Sequence, residues 1–132
     1  MRLGVLRETA PNERRVALVP PTVQRLRAAG HELLIEPGAG LAAGFPDSVY
    51  SEAGGKLVER AVVLGESEIL LVVQYPEPED LAGVPPGATI IGLAQRSGAN
   101  RFVAAAAAGH LTVLAMERVP RTTKAQTMDV LS

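Results

Sequence analysis

Short apolar runs recur along the chain, separated by polar stretches rich in glycine and proline. Leu3-Gly4-Val5-Leu6 reads as a first buried strand, and Val16 to Val19 is a second apolar patch. Pro20-Pro21 marks a helix start, because a first turn has no amide hydrogen bond to lose there. Val23, Leu26 and Ala29 carry helical spacing up to Gly30, placed just after the cap. Glu32 to Ile35 reads as a strand and Gly38-Ala39-Gly40 as a turn. Asp47 to Ala53 is a short helix with Val49 inward, stopped by Gly54-Gly55. Leu57-Val58 is a minor strand, and Glu59 to Leu64 a helix closed by Gly65. Ile69-Leu70-Leu71-Val72-Val73 is the strongest strand: consecutive aliphatics mean that both faces are covered, as in a central parallel strand. Thr89 to Leu93 and Leu111 to Met116 are further strands. Between them Asn100 caps a helix that runs to Ala108, with Gly109 as its stop.

This alternation predicts an α/β fold: a three-layer parallel sheet, Rossmann-like or flavodoxin-like, with helices on both faces. Ligands of such sheets bind at the carboxyl ends of the strands. Those ends are the loops Arg7 to Arg15, Gln74 to Pro78, Ala94 to Ser97 and Glu117 to Ala125.

The chain has 132 residues, enough for one domain with its own core. A net charge of −1 gives no field that points to nucleic acid or an anionic surface. The absence of cysteine excludes disulfide and thiol chemistry and favours a reducing compartment. No apolar run approaches the ~20 residues of a membrane span. His31 and His110 have no neighbouring ligands in sequence, so no metal site is expected. The proline and arginine content would suit a thermophile or a GC-rich genome.

Gly38-Ala39-Gly40-Leu41-Ala42-Ala43 matches the dinucleotide fingerprint and follows a strand. Gly44 and Pro46 interrupt the helix such a loop must open, so it reads as a plain turn. Arg14 and Arg15 are either a solvated basic pair or, for Arg15, an anion holder facing a cleft. Glu8, Glu13, Glu77 and Glu79 lie in charged loops that read as wet, with nothing to perturb their pKa values. Within the stretch from Pro120 to Asp129, Arg121 offers a planar fork of donors, Gln126 both donates and accepts, and Asp129 accepts only. That set suits a dinucleotide. The same stretch also fits a capping box, in which Gln126 reaches back to the amide of Thr123.

PRTTKAQTMDVL, Pro120 to Leu131, resembles a loop of the NAD(H)-binding alpha subunit (domain I) of proton-translocating NAD(P) transhydrogenase. The head, GVLRETAPNERRVALVP, resembles the amino terminus shared by that subunit and alanine dehydrogenase. The resemblance implies that Arg121 engages the nicotinamide region of NAD(H), that Asp129 binds its ribose hydroxyls, and that Gln126 lies toward the NADP(H) domain. In alanine dehydrogenases the position of Arg15 binds the substrate carboxylate, but a lysine and a histidine are needed where this chain has Gln74 and Gln95. Neither glutamine can serve as cation or general acid/base. Direct hydride transfer between two nicotinamides needs no such side chain, only positioning and exclusion of water.

Residues 1–132 are therefore expected to be the amino-terminal α/β domain of that subunit, with the dinucleotide-binding Rossmann domain further along, absent from this chain. Thr127 to Ser132 reads as the first turns of a helix, so the chain reads as one part of a longer protein. The resemblance further implies NAD on the missing domain and NADP on a partner domain. It implies a homodimer of the NAD(H)-binding subunit, a membrane domain that moves protons, and a cytoplasmic location on the inner face of the cell membrane. No metal and no nucleic acid are expected. The rivals are an alanine dehydrogenase-type NAD-dependent 2-oxo acid dehydrogenase and a non-catalytic assembly module.

Overall fold

The structure, a computed structural model, describes residues 1–94 and 99–116. Six parallel strands form one sheet: β1 (Arg2–Val5), β2 (Glu32–Ile35), β3 (Lys56–Leu57), β4 (Ile69–Gln74), β5 (Thr89–Ala94) and β6 (Thr112–Ala115). Four helices connect them: α1 (Pro20–Ala28), α2 (Asp47–Glu52), α3 (Arg60–Glu66) and α4 (Ala99–Ala108). The spatial order is β3-β2-β1-β4-β5-β6, a doubly wound Rossmann-like sheet whose direction of growth reverses between β1 and β4. Connections on the β1–β3 side run one way and those on the β4–β6 side the other. A single crossover hand then places their helices on opposite faces.

Side-chain alternation sorts the core accordingly. Leu3 and Val5 of β1, Leu33 and Ile35 of β2 and Leu71 of β4 pack with Val23 of α1 and Tyr50 of α2 on one face. Leu34, Leu70, Val72 and Ile90 pack with Val63 and Leu64 of α3 and with Phe102 and Ala106 of α4 on the other. Val5, Leu33, Ile35, Leu70 and Ile90 are fully buried, as expected of short aliphatic strands covered on both sides. Fully burying one such side chain contributes roughly 1.5–3 kcal/mol.

Several local expectations hold residue by residue. α1 begins on the two prolines, and Gly30 takes φ +100, the left-handed conformation that ends a helix and that a side chain resists. Others shift. Gly65 lies inside α3, and Ser67 follows as the cap in an extended conformation. The buried residue of α2 is Tyr50, not Val49; its hydroxyl donates to the Leu18 carbonyl at 2.8 Å, which makes its inward position tolerable. Asn100 lies within α4, which starts one residue earlier. Gly109 does stop α4 after Ala108, and His110 beyond it takes the left-handed conformation, with φ 59. The chain after β4 forms a 3₁₀ segment over Pro78–Gly83, where only a loop is expected as far as Pro78. Beside β4, Tyr75 and Phe102 stack with ring centroids 4.4 Å apart, and the Tyr75 ring occupies the space that a side chain at position 92 would need, so Gly92 is required there.

Among the described residues β6 is an edge strand. Val113 and Ala115 pack toward α4, whereas Leu114 on the other face is 49 % exposed.

Candidate functional site

The sheet places its crevice where β1 and β4 lie side by side but their connections leave in opposite directions. The ladder between them ends at the pair Val5–Leu71. Beyond it β4 continues to Gln74, and its last amides lack a partner strand on that side. Glu8 supplies the acceptors: one carboxylate oxygen takes the Val73 amide at 2.9 Å and the other the Gln74 amide at 3.0 Å. The Glu8 carboxylate thus substitutes for a strand carbonyl at the switch point. Burial pushes its pKa up, opposed by the two amide hydrogen bonds.

The loop then turns back. Ala10-Pro11-Asn12-Glu13 has proline second and a residue with φ 64 third, and the Glu13 amide donates to the Ala10 carbonyl at 3.1 Å. This is the residue pattern of a tight turn that requires a left-handed third position. The turn directs Glu13 at Gln74 and Arg15. Arg15 binds Glu13 through Nε at 3.0 Å, through Nη2 at 2.9 Å and through its own backbone amide at 2.9 Å. Gln74 Nε2 donates to the same Glu13 Oε1 that Arg15 Nη2 contacts, at 2.6 Å. The Glu13 side chain is 5 % exposed, while that of Arg15 is 63 % exposed. The Arg15 guanidinium, aided by Gln74, holds the Glu13 carboxyl down at about 2 against partial burial.

A second cluster closes the neighbouring strand ends. Arg60, at the start of α3, reaches Glu36 Oε1 at 2.7 Å, Asp80 Oδ2 at 2.9 Å and the Arg7 carbonyl at 3.3 Å. Glu36 also accepts the Arg7 amide at 2.7 Å. In a dinucleotide-binding sheet an acid just beyond the second strand holds a ribose, and the first helix amino terminus holds the pyrophosphate. Here Glu36 is engaged by Arg60. α1 opens with two prolines that have no N–H, and the next amides, Thr22 and Val23, both donate to the Val19 carbonyl. The fold has the order of a dinucleotide sheet, but its own first crossover carries no phosphate cradle among the described residues. Gly38-Ala39-Gly40 leads into a single 3₁₀ turn at Leu41–Ala43, in line with its reading as a plain turn.

Arg15 therefore lies at the crevice, with its inner edge bonded to Glu13. Glu8 and Glu13 are not the wet, unperturbed carboxylates expected from their charged loop. They are the residues that build the crevice, and the one local sign of it is the Pro11-Asn12 turn, which reverses the chain immediately before Glu13. Arg121, Gln126 and Asp129 lie outside the described residues, as do Gln95 and most of the third strand-end loop. Among the described residues no group of three or more histidines or carboxylates could hold a metal ion, and no helix is long and apolar enough to cross a membrane.

The profile of the alanine dehydrogenase/PNT N-terminal domain matches residues 4–132. The NAD(P) transhydrogenase alpha subunit of Haemophilus influenzae is 36% identical over 132 residues, a match that takes in 100% of this chain and 26% of that subunit. Alanine dehydrogenase of Bacillus subtilis is 39% identical over 80 residues, covering 61% of this chain and 21% of the enzyme. The crystal structure of transhydrogenase from Sinorhizobium meliloti superposes with a TM-score of 0.90 at 34% identity, covering 99% of this chain and 39% of that one.

Proposed function

The chain belongs to the alanine dehydrogenase/PNT N-terminal domain family, and from that premise we propose that it acts as the first domain of the NAD(H)-binding subunit of an NAD(P) transhydrogenase. One observation carries the reading: similarity to transhydrogenase alpha subunits extends over the whole chain, whereas the match to Bacillus subtilis alanine dehydrogenase covers 61% of it. The crevice chemistry agrees. Gln74 stands where a 2-oxo acid dehydrogenase of this family needs a cation, and a carboxamide can neither supply that charge nor exchange a proton.

In this reading the reaction is hydride transfer between NAD(H) and NADP(H). The cofactor supplies the hydride chemistry, and the chain's own residues orient a ring and exclude water. Arg121 would engage the nicotinamide region, Asp129 the ribose hydroxyls, and Gln126 would face the NADP(H)-binding domain. The pyrophosphate would be held by a second domain, since the described residues offer no cradle for it. Pairing of two NAD(H)-binding subunits, coupling to a proton-translocating membrane domain and attachment to the inner face of the cell membrane belong to the same proposal.

The test is a chimera. This chain replaces the matching first quarter of the Haemophilus influenzae alpha subunit, and hydride transfer from NADPH to an NAD analogue of distinct absorbance is measured in membranes. Restored transfer, lost again on Arg121→Ala or Asp129→Asn, is the expected result. Oxidation of NADH that depends on pyruvate and ammonia, without transfer between dinucleotides, would assign the chain to the dehydrogenase side instead.

A further inference from the structure

The Gln74 carboxamide has a defined orientation. Its partner Glu13 is an ionised carboxylate that can only accept, so the atom turned toward Glu13 is the nitrogen, and Oε1 points the other way. No described donor is bonded to that oxygen. Arg15 is oriented by the same carboxylate. Its Nε and Nη2 face Glu13, which leaves the Nη1 edge available at an exposed position. Arg15 Nη2 and Gln74 Nε2 share one oxygen of Glu13, so the two side chains are neighbours on a common anchor. The strand end therefore presents one acceptor beside one set of donors, with the guanidinium charge already balanced by Glu13.

That pairing discriminates between ligand groups. A carboxylate offers only acceptors, so beside Gln74 Oε1 it would place oxygen against oxygen, and the adjacent Glu13 charge repels it. A primary carboxamide offers an N–H donor and a carbonyl acceptor on one planar carbon, and satisfies both sides. We propose that Gln74 and Arg15, anchored together on Glu13, form a subsite for the carboxamide of a nicotinamide ring: Gln74 Oε1 accepts from its NH2 group and Arg15 donates to its carbonyl. The subsite rests on the reading of the chain as part of an NAD(H)-binding subunit and names the group that the β4 end selects. Glu13 is the positioning residue for both side chains.

The experiment titrates the isotope-labelled chain with nicotinamide and, separately, with nicotinate at millimolar concentrations. It follows the Gln74 side-chain amide and Arg15 Nε resonances by NMR. Nicotinamide is expected to shift both, with an apparent affinity about tenfold above that of nicotinate, the worth of one net hydrogen bond. Gln74→Leu is expected to abolish the preference, and Gln74→Lys to turn it toward nicotinate. Intact Val73 and Ile90 backbone resonances show that the sheet is preserved in both variants. An equal or stronger response to nicotinate in the unaltered chain, a preference that survives Gln74→Leu, or no shift at either residue would overturn the subsite. Failure of the functional reading is separable: a chimera that transfers hydride while Gln74 shows no preference removes the subsite alone, and a selective Gln74 in a chimera without transfer removes the function alone.

Discussion

At the scale of single residues, the two crevice carboxylates titrate in opposite senses. Glu13 holds a pKa of about 2 in the fold against an ordinary 4.5, so the unfolded chain binds its proton more tightly. Its contribution to stability is complete above 4.5 and is lost as the pH falls toward 2. Glu8 is raised by burial, so folding favours its neutral form. Its contribution is largest below the ordinary carboxylate value and fades as the pH rises through the raised one. Urea midpoints followed across the acid range are expected to fall steeply below 4.5 for the natural chain and to be flatter for Glu13→Gln, which should also be less stable at neutral pH. In sequence Glu13 is marked only by the Pro11-Asn12 turn before it, and Glu8 by nothing. Glu8 gains its setting from amides 65 and 66 positions away, and no local pattern encodes a contact of that range. Arg15 was visible as a candidate because a basic pair in a strand-end loop is a local feature.

Elements were more legible than residues. Runs such as Leu33-Leu34-Ile35 and Ile69 to Val73 declare strands because only a doubly covered strand needs unbroken aliphatics. The start of α1 on Pro20-Pro21 follows from backbone chemistry alone. Helix ends were less even: Gly109 does stop α4 after Ala108, whereas Gly65 fits inside α3 at modest cost. The 3₁₀ segment at Pro78–Gly83 was missed because its order comes partly from Arg60, which ties Asp80 to Glu36 across the ends of other strands. Arg60→Met leaves two partly buried carboxylates without their cation and is expected to destabilise the chain by about 2 kcal/mol, read as a lower urea midpoint. Phe102→Ala removes the stacking partner of Tyr75 and opens a cavity between α4 and the sheet. A loss of about 3 kcal/mol in urea unfolding is expected, with a weakened near-ultraviolet signal from Tyr75.

At the scale of the whole molecule, alternation of strand and helix gives the class, while the strand order appears only once the sheet is assembled. The order matters because it places the crevice between β1 and β4, beside Glu8, Glu13 and Gln74. The same view bounds what the chain does alone. With prolines opening α1, no glycine between Arg7 and Arg15, and Glu36 tied to Arg60, the expected outcome of calorimetric titration with NADH is no micromolar binding by the isolated chain. A micromolar dissociation constant would contradict that expectation.

The position of β1 has one more consequence, in time. Among the described strands this four-residue strand waits longest for its second neighbour, because β4 begins only at Ile69, after β2 and β3. Until then the nascent half-sheet shows an open flank at β1, a template for any stray extended segment. Synthesis that stalls before β4 should therefore produce an intermediate that is sticky at β1, and a stall after β4 moves the open flank to β4.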